Sequence, residues 1–252
     1  MLRVACVAAG EPEIFRSVQG EGPMAGRERT FVRLSGCNLH CVWCDTPYTW
    51  NWRGTRFAHA LDRPGAPHKF DRAEEEIELG VEEVSERVAA LPAEGVVITG
   101  GEPLVQMKAL PELVGRIREL LPEAAIEIET NGTIPPSAAL AARVDLFVVS
   151  PKLSHSGNRE ALALRERALG AFVATGRAAF KFVATGVADV AGVRALAGRL
   201  GLDPERVWIM PEGTRSEELR AAGAALAEPV EASGFRLSDR LHIHLYGDAR
   251  GV

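Results

Sequence analysis

Phe31-Val32-Arg33-Leu34-Ser35-Gly36-Cys37-Asn38-Leu39-His40-Cys41-Val42-Trp43-Cys44 joins a short β-branched, apolar run to a loop that carries three cysteines. The run 30–34 reads as a strand, and the pattern repeats outward from it. Further strands are expected at 96–99, 125–129, 146–149, 180–183 and 207–210, with a last one near 241–243, six to seven in all. Stretches of helical period lie between them. Val81, Val84, Val88 and Leu91 share one face of a helix that stops at Pro92, and Leu110, Leu113, Val114, Ile117 and Leu121 share one that stops at Pro122. Alanine-rich helices follow around 160–169, 188–200 and 216–227. This alternation is that of βα units around a mostly parallel sheet, an α/β fold that can close into a barrel or stay open.

Composition limits what such a fold can be for. The chain has 252 residues, with 29 Lys plus Arg against 34 Asp plus Glu, a net charge of −5 that argues against a general nucleic-acid binder. Hydrophobic residues make up 46% and charged residues 25%, the balance of an ordinary globular protein. No apolar run approaches the roughly 20 residues of a membrane helix, and no basic, then apolar, leader is present, so a cytoplasmic protein is expected. There is no repeat and no long Gly/Ser linker, so residues 1–252 are read as a single domain. The irregular piece is 51–69, with Pro64, Gly65 and Pro67, which reads as a loop without an assigned role.

The expected strands end in polar or glycine-rich signatures: Ser35-Gly36-Cys37, Thr99-Gly100-Gly101-Glu102-Pro103, Glu129-Thr130-Asn131-Gly132, Ser150-Pro151-Lys152 and Met210-Pro211-Glu212-Gly213. In parallel α/β folds these ends share one rim, where active sites form. Cys37, Cys41 and Cys44 make C-x3-C-x2-C on that rim. Three thiolates can hold three corners of an iron–sulfur cubane and leave the fourth iron open, whereas structural zinc normally takes four protein ligands. Zinc would need His40, His59, His68 or Cys6 as the fourth, and ranks second.

With Trp43 just before the last cysteine and Gly100-Gly101-Glu102-Pro103 downstream, the motif resembles the radical S-adenosylmethionine superfamily. That resemblance implies an incomplete (βα)6-type barrel, a [4Fe–4S] cluster and S-adenosylmethionine chelated at the open iron. The segment from Glu13 to Gly22, the stretch Phe31 to Asn38, Cys44-Asp45-Thr46, Glu129 to Gly132, Ser150-Pro151-Lys152 and the ending from Leu241-His242 to Val252 together resemble the 7-carboxy-7-deazaguanine synthase family over nearly the whole length. The resemblance implies ring contraction of 6-carboxy-5,6,7,8-tetrahydropterin with loss of ammonia, S-adenosylmethionine used catalytically, and a need for Mg2+. It also implies an external one-electron reductant such as flavodoxin or ferredoxin, and a homodimer, with no nucleic acid or membrane partner.

It distributes roles as well. Cys37, Cys41 and Cys44 would ligate the cluster and Thr46 the Mg2+. Trp43, Cys44, Asp45, Gly101, Glu102, Glu129, Ser150, Pro151, Lys152, Met210, Pro211, Glu212 and Gly213 would contact S-adenosylmethionine. Val18, Gln19, Gly20, Glu21, Arg33, Thr99, His242 and Val252 would bind the pterin. These residue types suit that ligand, since Gln19 and Glu21 can pair with an aminopyrimidinone edge while Arg33 and His242 can meet a carboxylate. Alone, Arg33 would read as an ordinary ion-pairing residue and His242 as a core histidine. Two other readings share the cysteine motif: an activase that makes a glycyl radical on a partner protein, and a zinc-stabilised binding module without catalysis.

Overall fold

Eleven strands build one sheet in the computed structural model, which describes residues 1–252. They are β1 (Leu2–Ala8), β2 (Glu11–Pro12), β3 (Ile14–Val18), β4 (Glu28–Leu34), β5 (Glu76–Leu79), β6 (Gly95–Gly100), β7 (Ala125–Thr130), β8 (Leu146–Val149), β9 (Ala178–Ala184), β10 (Val207–Pro211) and β11 (Arg236–Leu237). The order is β11-β10-β9-β8-β7-β6-β4-β1-β2, with β3 paired to β4 and β5 to β1. Every pairing from β4 to β11 is parallel, and those of β1, β2, β3 and β5 are antiparallel. The two ends of this order do not pair, so the barrel stays open, as expected for the incomplete form.

Side-chain alternation assigns the two faces. Val32, Ile98, Ile128, Phe147, Phe182 and Ile209 point into the layer packed by helices, where they join one apolar core. The helices Val81–Ala89 and Leu110–Leu120 present Val84 and Val88, and Leu110, Leu113, Val114 and Ile117, to that core. The residues between belong to the other face: Arg33, Thr99, Glu129, Val148, Lys181 and Met210. Arg33 lies beside Thr99 and Glu129 beside Val148 in register, so polar groups far apart in sequence fall on one surface.

The structure corrects three expectations of detail. The segment 241–243 is not a strand but the start of a helix, Leu241–Tyr246. Its alternating Leu-His-Ile-His-Leu mimics a strand, but the edge beyond β10 is taken by β11, and the Leu241 N–H bonds the carbonyl of Gly20 instead. The helix expected at 160–169 is broken into Glu160–Ala163 and Glu166–Ala174. Strands β1, β2, β3 and β5 were not anticipated. No helix is long and apolar enough to cross a membrane.

Candidate active site

A cavity of about 440 Å3 opens at the C-terminal ends of the parallel strands, a size suited to small molecules. Cys37, Cys41 and Cys44 all line it. Each sulfur already receives a hydrogen bond: from Leu39 N to Cys37 Sγ at 3.4 Å, from Asn158 Nδ2 to Cys41 Sγ at 3.3 Å and from Trp50 Nε1 to Cys44 Sγ at 3.3 Å. Burial pushes all three thiols above their ordinary range, Cys41 to about 11, so a thiolate trio here needs a cationic centre to compensate it. No three His, Cys, Asp or Glu side chains converge tightly enough to hold one metal ion. A cubane takes one thiolate per iron and fits three separated sulfurs, whereas zinc requires its donors gathered at one point. Nor does a histidine complete a zinc set. His40 stacks on Phe57 at 3.4 Å, an His59 ring nitrogen meets the Cys44 carbonyl at 2.8 Å, and His68 packs edge-on against Phe70.

Below the cysteines lies a layer of charge. Glu21 accepts from Lys181 Nζ and, at 2.9 Å, from Arg240 Nε. Arg240 also reaches Asp45 Oδ2 and the Gly213 carbonyl, the latter at 2.7 Å. Burial opposes ionisation of Glu21, but the Lys181 and Arg240 cations outweigh it and hold its carboxylate well below the ordinary range. His242, 3.9 Å from Glu21, is shifted down because burial dominates, so it enters the site neutral. Its close neighbour explains Gly20: a Cβ there would sit 2.0 Å from His242 Nδ1. Arg33 Nε donates to Glu13 Oε1 at 2.7 Å, and Tyr48 Oη donates to the same carboxylate at 2.9 Å. Glu13 is fully buried, so Arg33 is held from behind while its side chain faces the cavity.

Most of the anticipated residues meet in this cavity. Val18, Gln19, Gly20, Glu21, Arg33, Thr99, His242 and Val252 line it, as do Trp43, Asp45, Thr46, Gly101, Glu129, Ser150, Lys152 and Met210. Lys152 Nζ donates to Ser150 Oγ at 2.9 Å and lies 5.6 Å from the Trp43 ring, whose Nε1 donates to His155 Nδ1 at 3.0 Å. Thr46 Oγ1 is 3.6 Å from Cys44 Sγ. Glu102, Pro151, Pro211, Glu212 and Gly213 are not among the lining residues. Glu102 is fully buried and accepts from Asn131 N, Leu104 N and Thr130 Oγ1 at 2.6, 2.9 and 2.8 Å, tying the rim loop after β6 to the one after β7.

Sequence reading missed Glu13, Tyr48, Lys181 and Arg240, all on the cavity wall, and Glu127 beneath it. A signal existed for two of them. Lys181 interrupts Phe180-Lys181-Phe182-Val183, and Glu127 alternates with Ile126 and Ile128, so each places a charge inside a strand that is buried on both faces. Gln19 Nε2 donates to both Glu127 Oε1 and Glu129 Oε1 at 3.1 Å, and Thr99 Oγ1 donates to Glu129 Oε2 at 2.7 Å. Burial, with Glu129 beside it, pushes Glu127 up to about 8. Between the unfolded carboxylate range and that value the native state binds the extra proton, so stability falls as pH rises through it. Thermal melts from about pH 5 to about pH 9 are expected to show this decline, and Glu127→Gln, which mimics the neutral acid, should flatten it. Equal slopes in both proteins would mean that Glu127 does not titrate there.

Residues 18–167 match a family model described as a 4Fe-4S single cluster domain. The chain is 36% identical to the 7-carboxy-7-deazaguanine synthase of Pyrobaculum aerophilum, over 95% of each chain. It is 35% identical to that of Hyperthermus butylicus, over 92% of this chain and 90% of the relative. The crystal structure of QueE from Escherichia coli superposes with a TM-score of 0.64 at 26% identity, covering 95% of both chains. With likeness running end to end in sequence and fold, and with the three-cysteine loop inside the matched segment, the chain belongs to the 7-carboxy-7-deazaguanine synthase family.

Proposed function

We propose that this cavity converts 6-carboxy-5,6,7,8-tetrahydropterin to 7-carboxy-7-deazaguanine with release of ammonia, making the enzyme a radical S-adenosylmethionine lyase. The observation that carries the reading is one cavity lined by three thiols on one side and by Gln19, Glu21 and Arg33 on another. When bound, the cluster and S-adenosylmethionine would supply reversible hydrogen-abstraction chemistry at a substrate carbon. The protein's own work is placement and exclusion of water. Arg33, fixed by Glu13, offers its outer guanidinium nitrogens to the pterin carboxylate, and neutral His242 adds a hydrogen bond rather than a second charge. Glu21, kept ionised by Lys181 and Arg240, accepts from the N–H groups of the aminopyrimidinone edge, and the Gln19 amide lies beside it.

Trp43, Ser150, Lys152 and Met210, which line the cavity near the thiols, would hold the cosubstrate. Lys152 is the cation on that wall, placed to meet the cosubstrate carboxylate. Thr46 would hold Mg2+ through a hydroxyl that is a weak ligand alone, so substrate oxygens and water would have to supply the other ligands. The segment Asp248 to Val252 forms part of the cavity wall. Arg250 anchors it, with its guanidinium 3.6 Å from the Tyr48 ring centre and 2.6 Å from Glu75. The reading includes a single working unit over 1–252, a homodimer, an external one-electron donor protein, and a reducing cytoplasm in which the free thiols persist.

An activase for a partner protein would need room for a peptide loop, and the Asp248 to Val252 segment in the cavity wall and the charged small-molecule floor speak against it. Anaerobic turnover of the carboxylated tetrahydropterin is expected to proceed without net loss of S-adenosylmethionine, and Thr46→Ala is expected to weaken the Mg2+ dependence. Stoichiometric consumption of the cosubstrate would overturn the substrate assignment, and an unchanged Mg2+ profile would remove Thr46 from the metal site.

A further inference from the structure

The loop 51–69 contributes only Leu61 and His68 to the cavity lining, yet the chain wraps it against the cysteines. The His59 ring bonds the Cys44 carbonyl, Ala60 N donates to the Val42 carbonyl at 2.7 Å, and Phe57 covers His40. At the root of this loop stands Trp50, 3% exposed, with its ring held edge-on by His40 and Phe57, at 5.1 and 6.1 Å between centroids. Indole has one donor and no acceptor, and the partner it finds is Cys44 Sγ at 3.3 Å. On the opposite side, in the segment after β8, Asn158 donates to Cys41 Sγ at 3.3 Å while its Oδ1 accepts from His40 N at 2.9 Å. The acceptor bond fixes which end of the amide faces the sulfur. Two side chains from distant segments are thus each aimed, donor first, at a different one of the three thiols.

We propose that Trp50 and Asn158 are positioning residues that set the reduction potential of the cluster through hydrogen bonds to its thiolate ligands, and that the loop 51–69 exists to hold the first of them. The inference rests on the cluster reading of the three cysteines. A donor withdraws charge from a thiolate and favours whichever oxidation state is more negative. One-electron reduction adds a negative charge to the cluster without making or breaking a bond, so both donors stabilise the reduced state. They make the cluster easier for an external low-potential donor to reduce. In a dry, donor-free setting the same thiolates would hold the cluster harder to reduce, and fewer molecules would be in the state that cleaves the cosubstrate.

The test is an anaerobic redox titration of the reconstituted protein with dithionite, without cosubstrate, followed by electron paramagnetic resonance of the reduced cluster. Iron content is measured on the same samples. Trp50→Phe removes the indole N–H, and Asn158→Asp keeps the shape while replacing the donor by an acceptor. Each is expected to retain iron and to shift the midpoint negative by about 59 mV, a tenfold change in the ratio of reduced to oxidised cluster. Asn158→Gln, which keeps the amide donor, is expected to restore part of the shift. Full iron with unmoved midpoints in both variants would overturn the proposal and leave the cluster reading standing. A wild-type protein that takes up no iron would overturn both. Should Trp50→Phe lose iron through loosened packing, Asn158→Asp alone decides, since its side chain is outside the aromatic cluster.

Discussion

Lys181→Met is expected to destabilise the protein by about 3 kcal/mol, the lower end of the range for removing one partner of a buried ion pair. Lys181 is 5% exposed and its ammonium meets Glu21, which sits among Arg240, His242 and Asp45. Without Lys181 the carboxylate keeps Arg240 on its other oxygen, which is why the loss stays at the lower end. The effect on turnover is larger in kind. Glu21 faces the cavity in an orientation set by two cations, and losing one frees it to rotate or take a proton. A fall in kcat/KM of about 100-fold, corresponding to ~2.7 kcal/mol of transition-state stabilisation, is expected. The double variant Lys181→Met with Glu21→Gln should recover part of the stability but none of the turnover, because it neutralises the pair yet leaves the pterin edge without its charged acceptor. Denaturant melts and anaerobic kinetics on the four proteins measure both quantities. A Lys181→Met protein as stable and as active as the parent would mean that Arg240 alone holds Glu21.

The same residue shows what the sequence makes legible. The parallel strands β4 and β6 to β10 were readable because they are buried on both faces and consist of β-branched and aromatic residues in short runs. Their C-terminal signatures were readable because glycine, proline and polar residues cluster where backbone must turn toward a ligand. Strands β1, β2, β3 and β5 gave no such signal. They are antiparallel and peripheral, and β5 begins within the acidic run Glu74-Glu75-Glu76, directly after the short helix Arg72–Glu75. The thiols, Gln19, Glu21 and Arg33 were anticipated through motifs, whereas Glu13, Tyr48 and Arg240 act through partners 20, 35 and 219 positions away in sequence. No local pattern encodes such pairings. Glu102 was legible as a residue but not as a role: its burial and three donors make it a tie between rim loops.

Gly100→Ala is expected to have the largest effect of any single methyl group in the chain. Gly100 has φ of +135°, a conformation closed to L side chains, and its added Cβ would lie 1.9 Å from the Leu34 carbonyl oxygen and 2.5 Å from Leu34 N. Both are backbone atoms of β4, so no rotamer change can relieve the clash. Gly101 is tight as well, with its would-be Cβ 2.4 Å from the Gly36 carbonyl oxygen. The pair therefore does more than keep the strand end clear for a ligand. It lets β6 close on the end of β4, from which the Cys37 loop departs, and the Gly101 N–H completes that contact on Leu34 O at 3.0 Å. Opening this junction costs more than about 4 kcal/mol, a large share of an ordinary domain's stability, and displaces the first cysteine ligand with it. Gly198→Ala supplies the contrast. Gly198 lies in the helix Val187–Leu200 with open space around it, so a methyl there should stabilise by up to ~1 kcal/mol. Soluble yield, melting temperature and iron bound after anaerobic reconstitution should thus fall together for Gly100→Ala and hold or rise for Gly198→Ala. A Gly100→Ala protein that melts normally but loses only turnover would return the glycine pair to the simpler role of clearing a path for the cosubstrate.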